Sequence, residues 1–147
     1  MILHILNGDC ASDGWKQNDF DGEMLVWREN YLHGTMPQTD DITVFNRIRA
    51  GELHKISPEI PENEIFSGLQ TMHRKLFSLN CDDKVVLWLD CCPFDQALKN
   101  RLCSLILSMP EVPELFIVQH DTVWNKESFS QYSNWEDHRY SVSDIDS

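Results

Sequence analysis

The chain has 147 residues, 41% of them hydrophobic and 24% charged, which suits one globular domain with a real core and excludes disorder along the whole chain. Twelve Lys and Arg stand against 24 Asp and Glu, and the resulting net charge of −12 repels phosphate backbones and anionic membrane surfaces. Nucleic acid and membrane are therefore excluded as general partners, whereas a small anionic ligand is still admitted, because a helix terminus or one or two Arg override the net field locally.

The chain opens with Ile2-Leu3-His4-Ile5-Leu6, a nearly continuous apolar run that ends in the turn signal Asn7-Gly8-Asp9. Such runs suit strands covered on both faces, as in parallel sheets. The run lacks a basic flank and a small-residue cleavage site, so it does not read as a signal peptide. No stretch approaches the ~18 apolar residues of a membrane span. Ser12 or Asp13 caps a short helix through Trp15 and Lys16, weakened by Gly14. Asp21-Gly22 turns into a second strand over 23–28, which Glu29-Asn30 closes, and residues 31–38 read as a loop. A helix then starts at Thr39 or Asp40, with Ile42, Phe45 and Ile48 on one stripe and Gly51 as its C-terminal cap. Residues 57–62 are a linker, with Pro61 in the first turn of the next helix. The stripe Ile65, Leu69, Met72, Leu76 and Leu79 marks that helix more clearly than any other. A third strand spans 84–89 and is ended by Asp90-Cys91-Cys92-Pro93. Phe94, Leu98, Leu102 and Leu105 mark a helix that stops before Pro110, and a fourth strand over 115–118 runs into Gln119-His120-Asp121.

From Thr122 onward the chain turns polar yet carries Trp124, Phe129, Tyr132, Trp135 and Tyr140. Tails this aromatic dock on something. The expected organisation is a Rossmann-like α/β domain over residues 1–121 and an aromatic-containing C-terminal tail over 122–147 docked on it, with 140–142 able to add an edge strand. Strands alternating with helices imply βαβ units. The fold class expected is α/β: a Rossmann-like three-layer fold with a mostly parallel sheet of four to five strands.

In such sheets the ligand crevice lies beyond the carboxyl ends of the strands, and each expected strand here ends in polar residues. Asp9, Glu29, Asp90 and Asp95 are the candidate catalytic residues, since converging carboxylates supply general acid–base chemistry or hold Mg²⁺. Asp121 belongs to the same set. The competing reading of these carboxylates is that an acidic protein places them at turns and helix caps. Asn7 and Gly8 are candidates for ligand binding, because glycine permits close backbone approach and the following helix aims N–H groups at an anion. Arg28 is a candidate to hold that anion, with Arg47 and Arg49 as further cationic candidates. Trp27 and Trp88 read as core or cleft-wall aromatics, and His120 as a polar group of the crevice. His4, inside a buried strand, reads as a hydrogen-bonded core residue.

The five cysteines Cys10, Cys81, Cys91, Cys92 and Cys103 are odd in number and lack the spacing of a disulfide framework. They read as reduced thiols of a cytoplasmic protein. Cys10, Cys91, Cys92 and His120 also lack the C-x₂-C spacing of a zinc site. Near a helix N-terminus, Cys91 or Cys92 has the makings of a nucleophile with His120 as its base, although buried, inert thiols are the reading the sequence favours.

Three segments in order resemble a bacterial family, domain of unknown function 1835. They are His4-Ile5-Leu6-Asn7-Gly8-Asp9, then Gly22-Glu23-Met24-Leu25-Val26-Trp27-Arg28-Glu29 through Gly34, and Val85-Val86-Leu87-Trp88-Leu89-Asp90 through Phe94-Asp95-Gln96. The resemblance covers about residues 2–120 and implies a Rossmann-like domain without an established biochemical role. It carries the family's polar motif onto Asn7, Gly8, Asp9, Trp27, Arg28, Trp88, Asp95 and Gln96. Cys10 stands where the family has Ser, Glu29 where it has Asp, and Cys91-Cys92 where it has His-Asp. If that His-Asp is catalytic, this chain is altered or inactive. Two functional readings follow. One is a domain that binds a small anionic ligand, phosphorylated or nucleotide-like, and acts on it with carboxylates, with or without Mg²⁺. The other is a non-catalytic interaction or regulatory domain with a protein partner or a second copy of itself.

Overall fold

The four apolar runs become strands β1 (Ile2–Leu6), β2 (Glu23–Val26), β3 (Lys84–Asp90) and β4 (Glu114–His120). They form one all-parallel sheet in the order β2-β1-β3-β4, with Ile5 opposite both Leu25 and Leu87, and Leu87 opposite Ile117. The structure is a computed structural model and describes residues 1–141. The helices of the described residues are α1 (Asp9–Lys16), α2 (Ile42–Ile56), α3 (Glu62–Phe77), α4 (Pro93–Leu107) and α5 (Lys126–Ser130), followed by a 3-10 turn over Trp135–His138. The chain divides into two compact units, one of Met1–Trp27 with everything from Leu79 onward, the other of Arg28–Ser78.

The first unit holds the whole sheet. Residues 3–6 of β1 and 85–89 of β3 are each at most 1% exposed, so both faces are covered, which is why these strands read as continuous apolar runs. One face presents Leu6, Val86, Trp88, Phe116 and Val118 to Trp15 of α1 and to Trp124, Phe129 and Trp135. The aromatics after β4 are thus packed into this unit's own core. On the other face Leu3, Ile5, Leu87 and Leu89 are buried, and α4 packs on β3 with Leu98, Leu102 and Ile106 inward. The result is a Rossmann-like α/β unit of layered type, and its strand order is the first four of the flavodoxin-like arrangement.

Several boundaries differ from expectation for identifiable reasons. Neither Ser12 nor Asp13 caps α1. The helix starts at Asp9 directly from Gly8, whose φ of 103° and ψ of 158° only glycine adopts readily. Ser12 is instead buried within the helix, its hydroxyl donating to the Asp9 carbonyl at 2.8 Å. Gly14 sits where the backbone of α1 meets the segment before α5. A Cβ there would lie 2.7 Å from the Asn125 carbonyl carbon, so the tail can dock only on a residue without a side chain. β2 stops at Val26 rather than residue 28, although the Trp27 N–H still donates to the Leu6 carbonyl at 2.8 Å. For the end of the tail, Arg139 bridges Phe116 antiparallel and the Tyr140 N–H donates to the Leu115 carbonyl at 2.8 Å. Val142, the last residue of the expected edge strand, lies outside the described residues.

The second unit is a helical hairpin with a structured loop before it. α2 is capped by Asp41, whose carboxylate accepts from the N–H groups of Thr43 and Val44, not by Thr39 or Asp40. It runs through Gly51 to Ile56. Packing between α2 and α3 outweighs the roughly 1 kcal/mol that an interior glycine costs. Pro61 is the N-cap of α3 rather than part of its first turn. The loop is pinned by the guanidinium of Arg49, which is fully buried. It donates to both carboxylate oxygens of Glu29 (2.7 and 3.0 Å) and to the carbonyls of Asn30, His33 and Thr35 (2.7, 2.7 and 3.0 Å). Burial opposes the charge, but the Glu29 hydrogen bonds and its negative charge outweigh that and raise the Arg49 pKa.

Candidate functional site

β1 is followed by α1 and then β2 on one side of it, while β3 is followed by α4 and then β4 on the other. The loops leaving β1 and β3 therefore diverge between two neighbouring strands, the point at which open α/β sheets carry ligand crevices. Asn7 and Gly8 follow β1, Asp90 closes β3, and Cys91-Cys92 lead into α4.

A hydrogen-bonded cluster spans this junction. The Asn7 side-chain amide donates to Oδ1 of Asp95, and the Asp90 backbone N–H donates to Oδ2 of Asp95 at 2.7 Å. Asp90 Oδ1 accepts from the Cys92 N–H at 2.8 Å, and the Cys92 thiol caps α4 by accepting from the Asp95 N–H at 3.4 Å. The Gln96 side-chain amide donates to the Asp90 carbonyl at 3.2 Å. Donor atoms of Asp90, Cys92 and Asp95 all lie within 4.8 Å of one another. Asp95 is only 3% exposed. Burial raises its pKa, and the neighbouring Asp90 carboxylate adds to the rise, while the donors from the Asp90 backbone and Asn7 pull against it. Burial and the bond to Asp90 likewise raise the Cys92 thiol pKa. At the end of β4, His120 pairs in register with Asp90. Its Nδ1 shares a 3.0 Å hydrogen bond with the Tyr132 hydroxyl, and its ring centroid lies 5.2 Å from that of Trp124.

No protein-family model matches the chain, and neither curated proteins nor solved structures give a match. The geometry alone therefore sorts the candidate residues.

Asn7, Asp90, Asp95 and Gln96 are joined by the bonds just described, with Gly8 adjoining Asn7 and His120 level with Asp90. Asp9 is exposed in the first turn of α1. Trp88 lies in the core: it is 1% exposed, and its indole N–H donates to His4 Nδ1 at 3.0 Å. Trp27 is fully buried. Glu29 lies in the second unit, where both its carboxylate oxygens are held by Arg49. Arg49 is correspondingly no anion holder, since its five N–H donors are spent within the loop. Arg47 donates to Asn63 Oδ1 at 3.1 Å and stacks over Phe66. Arg28 has an exposed side chain in the second unit, and its backbone N–H lies 3.3 Å from the Met72 sulfur. The sequence reading passed over the Tyr132 hydroxyl at His120. The signal for it was the aromatic tail immediately after the fourth strand. Among the described residues no helix is long and apolar enough to cross a membrane.

Proposed function

We propose that the first unit binds a small anionic ligand, phosphorylated or nucleotide-like, between the carboxyl ends of β1 and β3, and that Asp90 and Asp95 act on it by acid–base or Mg²⁺-assisted chemistry. The observation that carries this reading is the pairing of two features at one junction. α1 begins at Gly8 with no side-chain cap on its first N–H groups, which suits an anion. Beside it, a buried carboxylate with a raised pKa is held by Asn7, which suits proton transfer. Mg²⁺, if used, would take carboxylate oxygens of Asp90 and Asp95 together with ligand oxygens, while the Cys92 thiol in the same cluster is a poor donor to it. Kinship with the family of domain of unknown function 1835 is part of the proposal and rests on the three segments His4 through Asp9, Gly22 through Gly34 and Val85 through Gln96. The alternative reading as a protein-interaction domain rests on the Cys91-Cys92 departure and the aromatic tail, and it is weakened because Trp124 and Trp135 pack into the unit's own core.

A thermal-shift screen of nucleotides and sugar phosphates, with and without Mg²⁺, tests the proposal. A ligand at 100 times its Kd adds about 2.7 kcal/mol, roughly 5–10 °C for a chain of this size. Asp95→Asn and Gly8→Ala should each abolish the shift. A shift that survives both variants moves the ligand away from this junction.

A further inference from the structure

The residues between β3 and α4 include two adjacent thiols in unlike settings. Cys91 is exposed, its sulfur 3.9 Å from the His120 carbonyl and 4.0 Å from Asp121 Oδ1. Cys92 is half-buried, and its sulfur is the N-cap acceptor of α4. The capping sulfur bonds the backbone of Asp95, the buried carboxylate of the cluster. A helix cap that is also an oxidisable group makes the start of α4 sensitive to thiol chemistry in a way that a Ser or Asp cap is not.

We propose that Cys91 and Cys92 form a thiol–disulfide modification site whose oxidation by a low-molecular-weight disulfide uncaps α4 and loosens Asp95. The exposed Cys91 thiolate attacks one sulfur of glutathione disulfide. The S–S bond breaks, and one glutathione leaves with the electron pair as thiolate. The Cys92 thiolate then attacks the Cys91 sulfur of the mixed disulfide and expels the second glutathione. The two protein thiols are oxidised, one glutathione disulfide is reduced to two glutathiones, and the two protons follow the leaving thiolates.

Adjacent Cα atoms stand about 3.8 Å apart across a trans peptide, closer than the roughly 4.4 Å at which ordinary disulfides begin. The bridge is therefore strained and readily reduced, as a reversible modification requires. Forming it draws the Cys92 sulfur toward Cys91 and away from the Asp95 N–H.

In the full-length protein incubated with glutathione disulfide, Cys91 and Cys92 should both lose their thiols and retain no glutathione, whatever the exposed Cys10 and Cys81 take up. Its tryptic peptide 85–99, which carries no other cysteine, should become lighter by two hydrogens. The melting temperature should fall by about 2–4 °C, the scale of a lost helix cap, and recover with reductant. Cys92→Ser keeps a capping oxygen and should hold one glutathione on Cys91 without the fall. A stable mixed disulfide on Cys91 or Cys92 in the unsubstituted protein, a bridge joining either of them to Cys10, Cys81 or Cys103, or a bridge at 91–92 that leaves the melting temperature unchanged would each overturn the proposal. None of these measurements involves the ligand, so their failure is separate from failure of the ligand reading.

Discussion

The side chain of Asn7, at the end of β1, holds the carboxylate of Asp95, which lies 88 residues further along in the first turn of α4. This bond ties the two diverging loops of the sheet together and faces a buried acid with its donor. Asn7→Ala removes that donor, so the Asp95 pKa, already raised by burial, should rise further, and stability should fall by about 1–3 kcal/mol. Carboxyl-carbon NMR titration of the two proteins checks the first effect, and urea unfolding the second. An unchanged Asp95 titration would mean that Asn7 does not hold the carboxylate in solution.

Asp95 also sets a pH dependence. Its folded pKa lies above the ordinary 3.8, so the folded state binds the proton more tightly than the unfolded chain. The stability it contributes is full below pH 3.8 and is lost as pH rises through the folded value. Asp95→Asn cannot ionise and escapes that loss. Relative to the parent, the variant should melt higher at pH 7 than at pH 4, which a pair of melting curves across this range would show. A difference of opposite sign would contradict the burial argument.

His4 works in the other direction. Its Nδ1 accepts from the Trp88 indole N–H at 3.0 Å, and its Nε2 meets the Asp21 carbonyl at 2.8 Å, so the ring is neutral with the proton on Nε2. Burial lowers its pKa below 6.5, against the Asp21 bond that raises it. Stability from this group is full above pH 6.5 and is lost as pH falls through the folded pKa. Nitrogen chemical shifts should report the Nε2–H tautomer below pH 6.5, where a free imidazole has charged. His4→Gln can keep both hydrogen bonds. It should lose this acid dependence at a cost of about 1–2 kcal/mol in ring contacts.

Arg49 should be the most sensitive residue of the second unit. Arg49→Met leaves the Glu29 carboxylate buried without its partner, at a cost of about 3–5 kcal/mol. Arg49→Lys restores the charge but not the five-donor fork, so it should recover only part of the loss. Limited proteolysis should cut between residues 28 and 41 faster in both variants. Equal cleavage rates would show that the loop does not depend on Arg49.

Trp135 sets its ring edge-on to Phe116, with centroids 5.0 Å apart, and lies 5.6 Å from His4. Trp135→Ala should cost about 3–5 kcal/mol in chemical unfolding. A chain cut after Asp121 would uncover Phe116, Val118 and Trp88 and should aggregate on size exclusion. A monodisperse truncated protein would refute this account of the tail.

The sheet was legible because parallel strands covered on both faces leave continuous apolar runs, and Ile2 through Leu6 and Val85 through Leu89 are such runs. Strand ends gave Asn7, Asp90 and Asp95 their place at one edge. The helix caps were less legible. Gly8 starts α1 through backbone stereochemistry, which leaves no periodic pattern, and the packing of α2 on α3 overrides the stop signal of Gly51. Glu29 looked like a crevice residue because it follows an apolar run. Its partner Arg49 sits twenty residues away in sequence, and nothing local marks the pair. Trp88 read equally well as core or cleft wall, and its burial together with its bond to His4 separates the two.

The sheet's connectivity bears on how the chain is made. β1 is an interior strand with Ile2 opposite Lys84, so its second neighbour does not exist until the whole of Arg28–Ser78 has been synthesised. At roughly 5–20 residues per second, Leu3 and Ile5 wait several seconds or more on the ribosome with one edge unpaired. The helical hairpin, whose two helices pack on each other, can form during the wait, whereas the sheet cannot close until β3 arrives. In the nascent chain, β1 is thus the segment most in need of shielding from other chains, although in the finished protein it is among the most deeply buried.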